Sequence, residues 1–363
     1  MIIRTCFILA AITVQALSAA APTYNKDIAP ILNSQCARCH RPGEVAPFSL
    51  LTYQDAAKRA ALIATVTTKR YMPPWKPEAG FASFQHERRL TSEQIALIAE
   101  WAKAGAQEGN PKDKPAAPVF ADGWQGGEPN LVVKTGKGFN VPAEGRDRFQ
   151  CFVLPLNLAQ DSYIQTAEFR PGNPSVVHHA VIYVDETGTA RRRAASSPDG
   201  SYPCFGGPGA AAASLLAAWA PGTITTAGDP QLSVPVMKGT DLILQIHYHP
   251  SGKAETDISS VGVTFSGPPA HGRTSLIMVN PNIDIAPGDS AYVVKSAITL
   301  PRDVEFSAVF PHAHWLCKDM KIDAQLPDGE VVHMLLIKDW DLLCKTVNFE
   351  DQDQESLLNS GSV

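Results

Sequence analysis

The chain has 363 residues, of which 44% are hydrophobic and 18% charged, and its formal net charge is -5. This length is too great for one ordinary domain and suits two or three, each able to bury its own core. No basic patch stands out, so nucleic acid is not expected as a partner. The 29 prolines and 26 glycines favour many short elements joined by turns, as in β-rich folds.

The first residues have the pattern of a secretory signal peptide. In MIIRTCFILAAITVQALSAAAP, one Arg precedes an apolar run that ends in small residues, and the run is short for a membrane span. We therefore expect residues 1–20 to be removed on export and the mature protein to be periplasmic or secreted, without a membrane-spanning segment. Export also permits disulfides, and the four cysteines outside the signal peptide and the CARCH motif allow three pairings: Cys151, Cys204, Cys317 and Cys344.

Residues 21–110 are predicted to form an all-α domain. The segment LTSEQIALIAEWAKAGA begins with a helix cap at Thr91 or Ser92, repeats apolar residues at three- and four-residue spacing, and stops at Gly105. The Pro- and Lys-rich stretch after it predicts an interdomain linker over residues 111–128.

The motif CARCH, from Cys36 to His40, is the attachment sequence of a c-type haem. The thiols of Cys36 and Cys39 lie one helical turn apart and add to the two vinyl groups of one porphyrin, and His40 binds the iron. Met72 in YMPPW is the predicted second axial ligand because a thioether favours reduced iron, and His86 is the alternative. The segment resembles the small cytochrome c domains of bacterial periplasmic proteins, which implies one covalent haem c.

From about residue 129 the pattern changes to short β-strands separated by turns. The predicted strands include NLVVKT, CFVLPLNL, SVVHHAVIYV, DLILQIHYHP, SVGVTF, AYVVKSAITL and VEFSAVFPHAH. Between them, GPGAAAASLLAAWAPG predicts a packed loop or a short helix. Many short strands at this spacing indicate sandwich or jelly-roll domains.

Five histidines in three of these strand-like contexts are candidate metal ligands: His178, His179, His247, His312 and His314. Imidazole suits copper and zinc, and H-x-H spacing places both rings on one face of a strand. Adjacent residues of a regular strand point to opposite faces, so His178 and His179 can share an ion only where a twist or bulge interrupts the strand. His249 shares a strand face with His247 and is expected to support that ligand or to lie at the surface.

The order of these motifs resembles a known family. A His-His strand, the Q-x-H-Y of LQIHYHPSGK and the H-x-H of PHAHWLCKDM are similar to the copper type II, ascorbate-dependent monooxygenases, the superfamily of peptidylglycine alpha-hydroxylating and dopamine beta-monooxygenases. With the cytochrome-like segment, residues 24–341 look like bacterial exported proteins that fuse both modules. The resemblance implies two all-β jelly-roll copper domains, over 129–266 and 267–363, separated by a cleft.

The resemblance also implies roles for the candidate ligands. One copper, which transfers electrons, would be held by His178, His179 and His247. A second copper, which activates oxygen, would take two of its three ligands from the catalytic His312 and His314. A disulfide between Cys151 and Cys204 is implied as well.

The function implied by the resemblance is that of a monooxygenase. A periplasmic electron donor or an ascorbate-like reductant would supply electrons, which the cytochrome domain passes to copper. Dioxygen would then hydroxylate a C–H bond of a small organic or peptide-like substrate. A haem- and copper-containing electron carrier without hydroxylase activity is the alternative.

The third ligand of the second copper is in doubt. In the family it is a methionine on a later strand, and no methionine follows Met334. Met320 would lie about 20 Å from His314 on an extended strand, and a hairpin around LPDGE sets Met334 opposite residues near Ile322. We therefore predict either an incomplete C-terminal domain with an impaired second copper site, or a site where another residue, with Cys344 a candidate, replaces the thioether.

Overall fold

The structure, a computed structural model, describes most of the chain: residues 20–120, 123–223, 225, 228–273, 275–280, 282–313, 316–340 and 347–348. The predicted signal peptide, apart from its last residue, lies outside the described residues, and so do His314 and Cys344. The described residues are mostly β-sheet with few helices, in agreement with β-sandwich domains.

Four of the five described α-helices lie before residue 104. A π-helical turn, Tyr24–Ile28, continues into the first of them; the four helices are α1 (Ala29–Gln35), α2 (Tyr53–Ala57), α3 (Ala60–Thr68) and α4 (Ser92–Lys103). A 3-10 turn follows at Pro111–Asp113. No helix in the described part of the chain combines the length and apolar character needed to cross a membrane.

Helix α4 begins where the sequence predicts. The Thr91 hydroxyl accepts a hydrogen bond from the backbone N–H of Gln94 at 3.2 Å, and the Gln94 side chain accepts one from the Thr91 N–H at 2.9 Å. This capping box satisfies two N–H groups that the first helical turn leaves unpaired. The apolar face of α4 buries Ile98 and Trp101 against the turn and helix that start at Tyr24.

Eleven strands lie between residues 131 and 266. They are β1 (Leu131–Lys134), β2 (Phe139–Val141), β3 (Arg148–Pro155), β4 (Ser162–Arg170), β5 (Val177–Asp185), β6 (Ser201–Pro203), β7 (Ser214–Trp219), β8 (Val234–Val236), β9 (Asp241–Tyr248), β10 (Glu255–Asp257) and β11 (Ser260–Ser266). Helix α5 (Thr189–Ala194) lies between β5 and β6. The strands form a five-stranded sheet, β6-β3-β9-β5-β7, a four-stranded sheet, β1-β11-β4-β8, and the pair β10-β2.

The two larger sheets pack face to face over one hydrophobic core. Every second residue of β9 from Leu242 to Tyr248 is buried there, against Val261 and Val263 of β11. The alternate residues of β9 point to the other face of the five-stranded sheet, where Ile243 packs under α5 and the segment around Cys204. This outer face carries the candidate metal ligands of β5 and β9.

The Ala-rich stretch forms β7 at the edge of the five-stranded sheet, so the predicted loop or helix is wrong. Ala180 of β5 pairs with Trp219, and the pairing continues to Val184 and Ser214. Alanine has a low intrinsic preference for strands, but pairing with a neighbouring strand outweighs such a preference.

Beyond residue 266 the described residues contain less β-structure than the sequence predicts. The strands are β12 (Ala308–Val309), β13 (Met320–Gln325), β14 (Val331–Ile337) and β15 (Val347–Asn348), paired as β12-β15 and β13-β14. The expected strand AYVVKSAITL forms no strand over residues 291–298, where Val293 is 69% exposed. Strands depend on a paired neighbour, and none of the described strands pairs with this segment.

Candidate metal centre and haem motif

A bulge in β5 brings the adjacent His178 and His179 to one face of the sheet. Val177 pairs with Tyr248 and His179 pairs with His247, so His178 is an extra residue between two regular pairs. Such an insertion bends the strand and re-aims a side chain. The predicted interruption of the strand is confirmed.

The imidazoles of these three histidines converge through their Nδ1 atoms. The Nδ1 of His178 lies 3.1 Å from that of His179 and 3.1 Å from that of His247, and the remaining distance is 3.2 Å. In a neutral imidazole each ring nitrogen either donates or accepts. Among three such nitrogens at least two are alike, so one of the three contacts cannot be a hydrogen bond. A cation that binds all three lone pairs removes this conflict.

The triangle of nitrogens has the size that a metal ion requires. The centre of an equilateral triangle with these edges lies about 1.8 Å from each corner. Imidazole nitrogen keeps roughly 2.0–2.1 Å from zinc, so an ion slightly above the plane reaches all three. His179 and His247 are buried and His178 is half-buried, and imidazole suits copper as well as zinc. These residues therefore fit a metal ion, and copper is compatible with them.

Asp147 fixes the tautomer of His247. Its Oδ2 lies 2.7 Å from His247 Nε2, and its Oδ1 lies 2.7 Å from Nδ1 of the exposed His249. Burial alone would raise the pKa of the Asp147 carboxyl, but hydrogen bonds from His249 and His247 hold this pKa below its usual value. The ionised carboxylate can only accept, so His247 Nε2 carries the proton and Nδ1 keeps its lone pair for a metal.

The role of Asp147 is not recognisable in the sequence. The residue lies in the charged stretch EGRDR before β3, where an acidic side chain is typically solvated. His249 supports Asp147, as expected of a residue that assists the ligand His247.

Aromatic rings cover one side of the candidate centre. The Phe149 ring stacks on the His247 ring with centroids 4.1 Å apart, and Phe205 meets Phe149 edge-on at 5.0 Å. The Cys151–Cys204 disulfide holds the segment of Phe205 on the sheet, so the implied pairing is confirmed. Apolar cover limits the access of water and lowers the local dielectric around a metal ion.

The Q-x-H-Y residues of β9 have three different tasks. Gln245 donates through Nε2 to the backbone oxygen of Cys204 at 2.8 Å and so fixes the disulfide segment. His247 belongs to the three-histidine group, whereas Tyr248 faces the core and donates to Asp257 at 2.8 Å. Gln245 and His247 therefore lie on the outer face of β9 and Tyr248 on its core face, because successive side chains of a strand point to opposite faces.

His312 reaches the three-histidine group from the C-terminal part of the chain. Its exposed ring lies with its centroid 5.7 Å from that of His179. The structure thus brings four of the five candidate ligands together, and the fifth, His314, lies outside the described residues. The predicted hairpin place of Met334 is confirmed, since it lies at a bulge next to the pair of Ile322 and Leu335.

The alternative soft ligands near this site have other contacts or lie outside the described residues. Met334 is 3% exposed and packs with Ala324. Met320 pairs with Ile337 in the hairpin. The thiol of Cys317 donates to the backbone oxygen of Asp319, and Cys344 is not among the described residues.

The CARCH motif holds His40 in the tautomer that a haem iron needs. His40 Nδ1 lies 3.1 Å from the backbone oxygen of Phe48, which can only accept, so Nδ1 carries the proton and Nε2 keeps its lone pair. Burial lowers the pKa of His40, which favours the neutral ring. The Cys36 and Cys39 thiols are free and half-buried, and burial followed by the neighbouring Cys39 raises the pKa of Cys36 to about 12. The free thiols and the free Nε2 of His40 are compatible with covalent haem attachment.

The second axial ligand remains a prediction. Met72 follows α3 and is 38% exposed. His86 is exposed and has a left-handed backbone conformation.

The described chain therefore combines a β-sandwich, which carries a group of histidines that could hold a metal ion, with a helical segment that carries the CARCH motif. Compared with known proteins, the sequence matches no protein-family model and no curated protein.

Proposed function

We propose that the protein is an exported haem- and copper-dependent oxidoreductase of the monooxygenase type. The convergence of the His178, His179 and His247 Nδ1 atoms carries the proposal, because this arrangement suits a cation and leaves a conflict without one. Copper bound there supplies reversible one-electron chemistry.

Three parts of the chain have separate roles in the proposed reaction. Residues 21–110 act as a cytochrome c domain, with haem held through Cys36, Cys39, His40 and Met72. Copper held by the three-histidine group would store an electron. His312 and His314 hold the copper at which oxygen reacts.

The overall reaction needs an external reductant. Two electrons and two protons reduce O2, so that one oxygen atom enters a C–H bond of the substrate and the other leaves as water. The electrons come from a periplasmic donor or an ascorbate-like reductant and pass through the cytochrome domain. The substrate is a small organic or peptide-like molecule.

A haem and copper electron carrier without hydroxylase activity is the second candidate. One observation favours it. Among the described residues, one group of three side chains could hold a metal, which suffices for a carrier with a single copper. His312 lies beside this group.

Copper stoichiometry and oxygen consumption distinguish these functions. The full chain is produced in a periplasm that attaches c-type haem, reconstituted with copper, dialysed, and measured for haem and copper per chain. Two copper ions together with reductant-dependent oxygen uptake support the monooxygenase, and one copper without uptake supports the carrier. A protein that retains neither covalent haem nor stoichiometric copper contradicts both.

Two single substitutions sharpen the result. His247→Ala removes one corner of the triangle and should abolish binding of one copper per chain. Leu62→Ala is a matched control on the exposed surface of α3 and should retain all bound copper.

A further inference from the structure

The haem motif lies beside a turn of the β-sandwich. A Cβ built on Gly222 would lie 3.5 Å from Cys39 Sγ, which is ordinary van der Waals contact. Arg88 strengthens the contact, because its Nη1 donates to the backbone oxygen of Gly222 at 2.8 Å. The sulfur that would join the porphyrin thus lies beside the turn, and Arg88 provides the direct contact between the two parts of the chain.

The turn that receives Cys39 is tightly defined. The Thr223 N–H donates to the Ala220 oxygen at 2.9 Å, and the Ala220 N–H donates to the Thr223 hydroxyl at 2.9 Å. Pro221 occupies the second position and Gly222, with φ of +87°, the third. This is the sequence and backbone preference of a type II turn, which requires glycine at the third position.

The same turn continues into the strand next to the metal ligands. β7 ends at Trp219, directly before the turn, and Trp219 pairs with Ala180 of β5. Ala180 follows His179, whose Nδ1 forms one corner of the triangle. Three peptide bonds join Gly222 to Trp219, and Trp219 pairs with β5. The turn beside Cys39 is therefore connected to the β5 ligands.

We propose that the Ala220–Thr223 turn is the electron bridge from the haem to the copper of the three-histidine group. The bridge rests on the proposed function. It passes one electron at a time, so that ferrous haem is oxidised to ferric while cupric copper is reduced to cuprous, and no atom or proton is transferred. The electron enters from an external reductant of the ascorbate class.

The helical part also touches the β13-β14 hairpin, and this second contact is the competing route. Glu78 N–H donates to the Leu336 oxygen at 2.7 Å, and Phe81 stacks on His333 with ring centroids 4.3 Å apart. None of these residues belongs to a strand that carries His178, His179 or His247. The turn, in contrast, directly follows Trp219, which pairs with Ala180 next to His179.

Gly222→Ala separates Arg88 from the turn without changing a ligand. The new Cβ would lie 2.1 Å from Arg88 Nη1, and the far end of that flexible side chain must move away, which breaks its bond to the turn. Gly239→Ala is the matched control, because Gly239 has a φ of +88° and nothing within 4 Å of its Cβ. Both variants carry the same backbone strain, and only one touches the haem motif.

Flash photoreduction of the haem in the copper-loaded full chain measures the transfer. Absorbance of the reduced haem is followed as the electron leaves, and a zinc-loaded sample, which cannot accept an electron, sets the background. The Gly222→Ala variant should transfer at least about tenfold more slowly than the wild type, with haem spectrum and copper content unchanged. Gly239→Ala and Phe81→Leu should transfer at the wild-type rate.

Arg88→Gln provides a second test in case Gly222→Ala does not fold. It removes the guanidinium that ties the turn to the haem motif and should slow the transfer in the same direction. Wild-type rates in both bridge variants, or slow transfer in Phe81→Leu alone, would overturn the bridge while leaving the proposed function intact. A wild-type protein with identical kinetics in the copper and zinc forms would overturn both.

Discussion

Single hydrogen-bond acceptors decide which nitrogen of each key histidine is free for a metal. The carboxylate of Asp147 accepts a hydrogen bond from Nε2 of His247, and the backbone oxygen of Phe48 accepts one from Nδ1 of His40. In both cases the opposite ring nitrogen keeps its lone pair. The hydrogen-bond acceptor therefore determines which ring nitrogen has a lone pair available to bind a metal ion.

Replacing Asp147 tests this control. Asp147→Asn leaves one acceptor oxygen for two histidines, so His247 loses its fixed tautomer, and copper affinity should fall about 10- to 100-fold. Competition with a chromophoric copper chelator measures the change. His249→Ala removes only the exposed partner of Asp147 and should leave the affinity nearly unchanged. Equal affinities in the wild type and Asp147→Asn would show that Asp147 does not orient the ligand.

The turn before β5 sets where that strand begins. A Cβ on Gly172 would lie 2.2 Å from the backbone oxygen of Ile258 and 2.5 Å from its carbonyl carbon. Asn173 N–H donates to Asp257 at 2.7 Å in the same place. Close approach of two backbones fixes the start of β5, and with it the position of the bulge at His178.

Gly172→Ala should therefore destabilise the sandwich by about 1–3 kcal/mol, because neither backbone can give way as a side chain can. Urea unfolding followed by fluorescence measures the free energy of unfolding. Gly267→Ala is the control, since nothing lies within 4 Å of its Cβ and its φ is not left-handed. If the two variants unfold at the same urea concentration, the contact with Ile258 does not constrain β5.

At the scale of the whole molecule, the helical part and the C-terminal hairpin share a core. Phe84 is 1% exposed and packs with Leu335 and Ile337, both fully buried, while the Trp75 ring meets Phe84 edge-on at 5.9 Å. Lys76 adds an ion pair to Asp339 at 2.6 Å, on an exposed carboxylate where such pairs contribute little. Apolar burial is therefore the main force that holds the hairpin to the helical part.

Phe84→Ala should release the hairpin. Removing a buried phenylalanine costs about 3–5 kcal/mol, which is comparable to the stability of a small unit. Limited proteolysis should then cut within residues 320–337 faster than in the wild type, while the two-sheet sandwich remains resistant. Leu62→Ala, at a position 49% exposed, should leave the cleavage pattern unchanged. Equal cleavage rates would mean that the hairpin is held by other contacts.

Local patterns in the sequence predict much of this molecule. The cap at Thr91, several strands of the sandwich and the need for a bulge at His178 all depend on residues close together in the chain. Periodicity and side-chain chemistry are sufficient for such features because the interactions involved are local. Two segments are exceptions: β7 forms although alanine carries little local preference for any sheet, and residues 291–298 form no strand although their local pattern predicts one.

The amino-acid sequence by itself determined which residue types are available, where helix α4 begins, and where several strands and the two ligand motifs lie. The tertiary structure alone decided which of them meet: His178 with His247, 69 residues apart, Asp147 with His247, 100 residues apart, and Arg88 with Gly222, 134 residues apart. Contacts at such separations depend on strand register and on the packing of sheets, and each arises only when the whole core has formed.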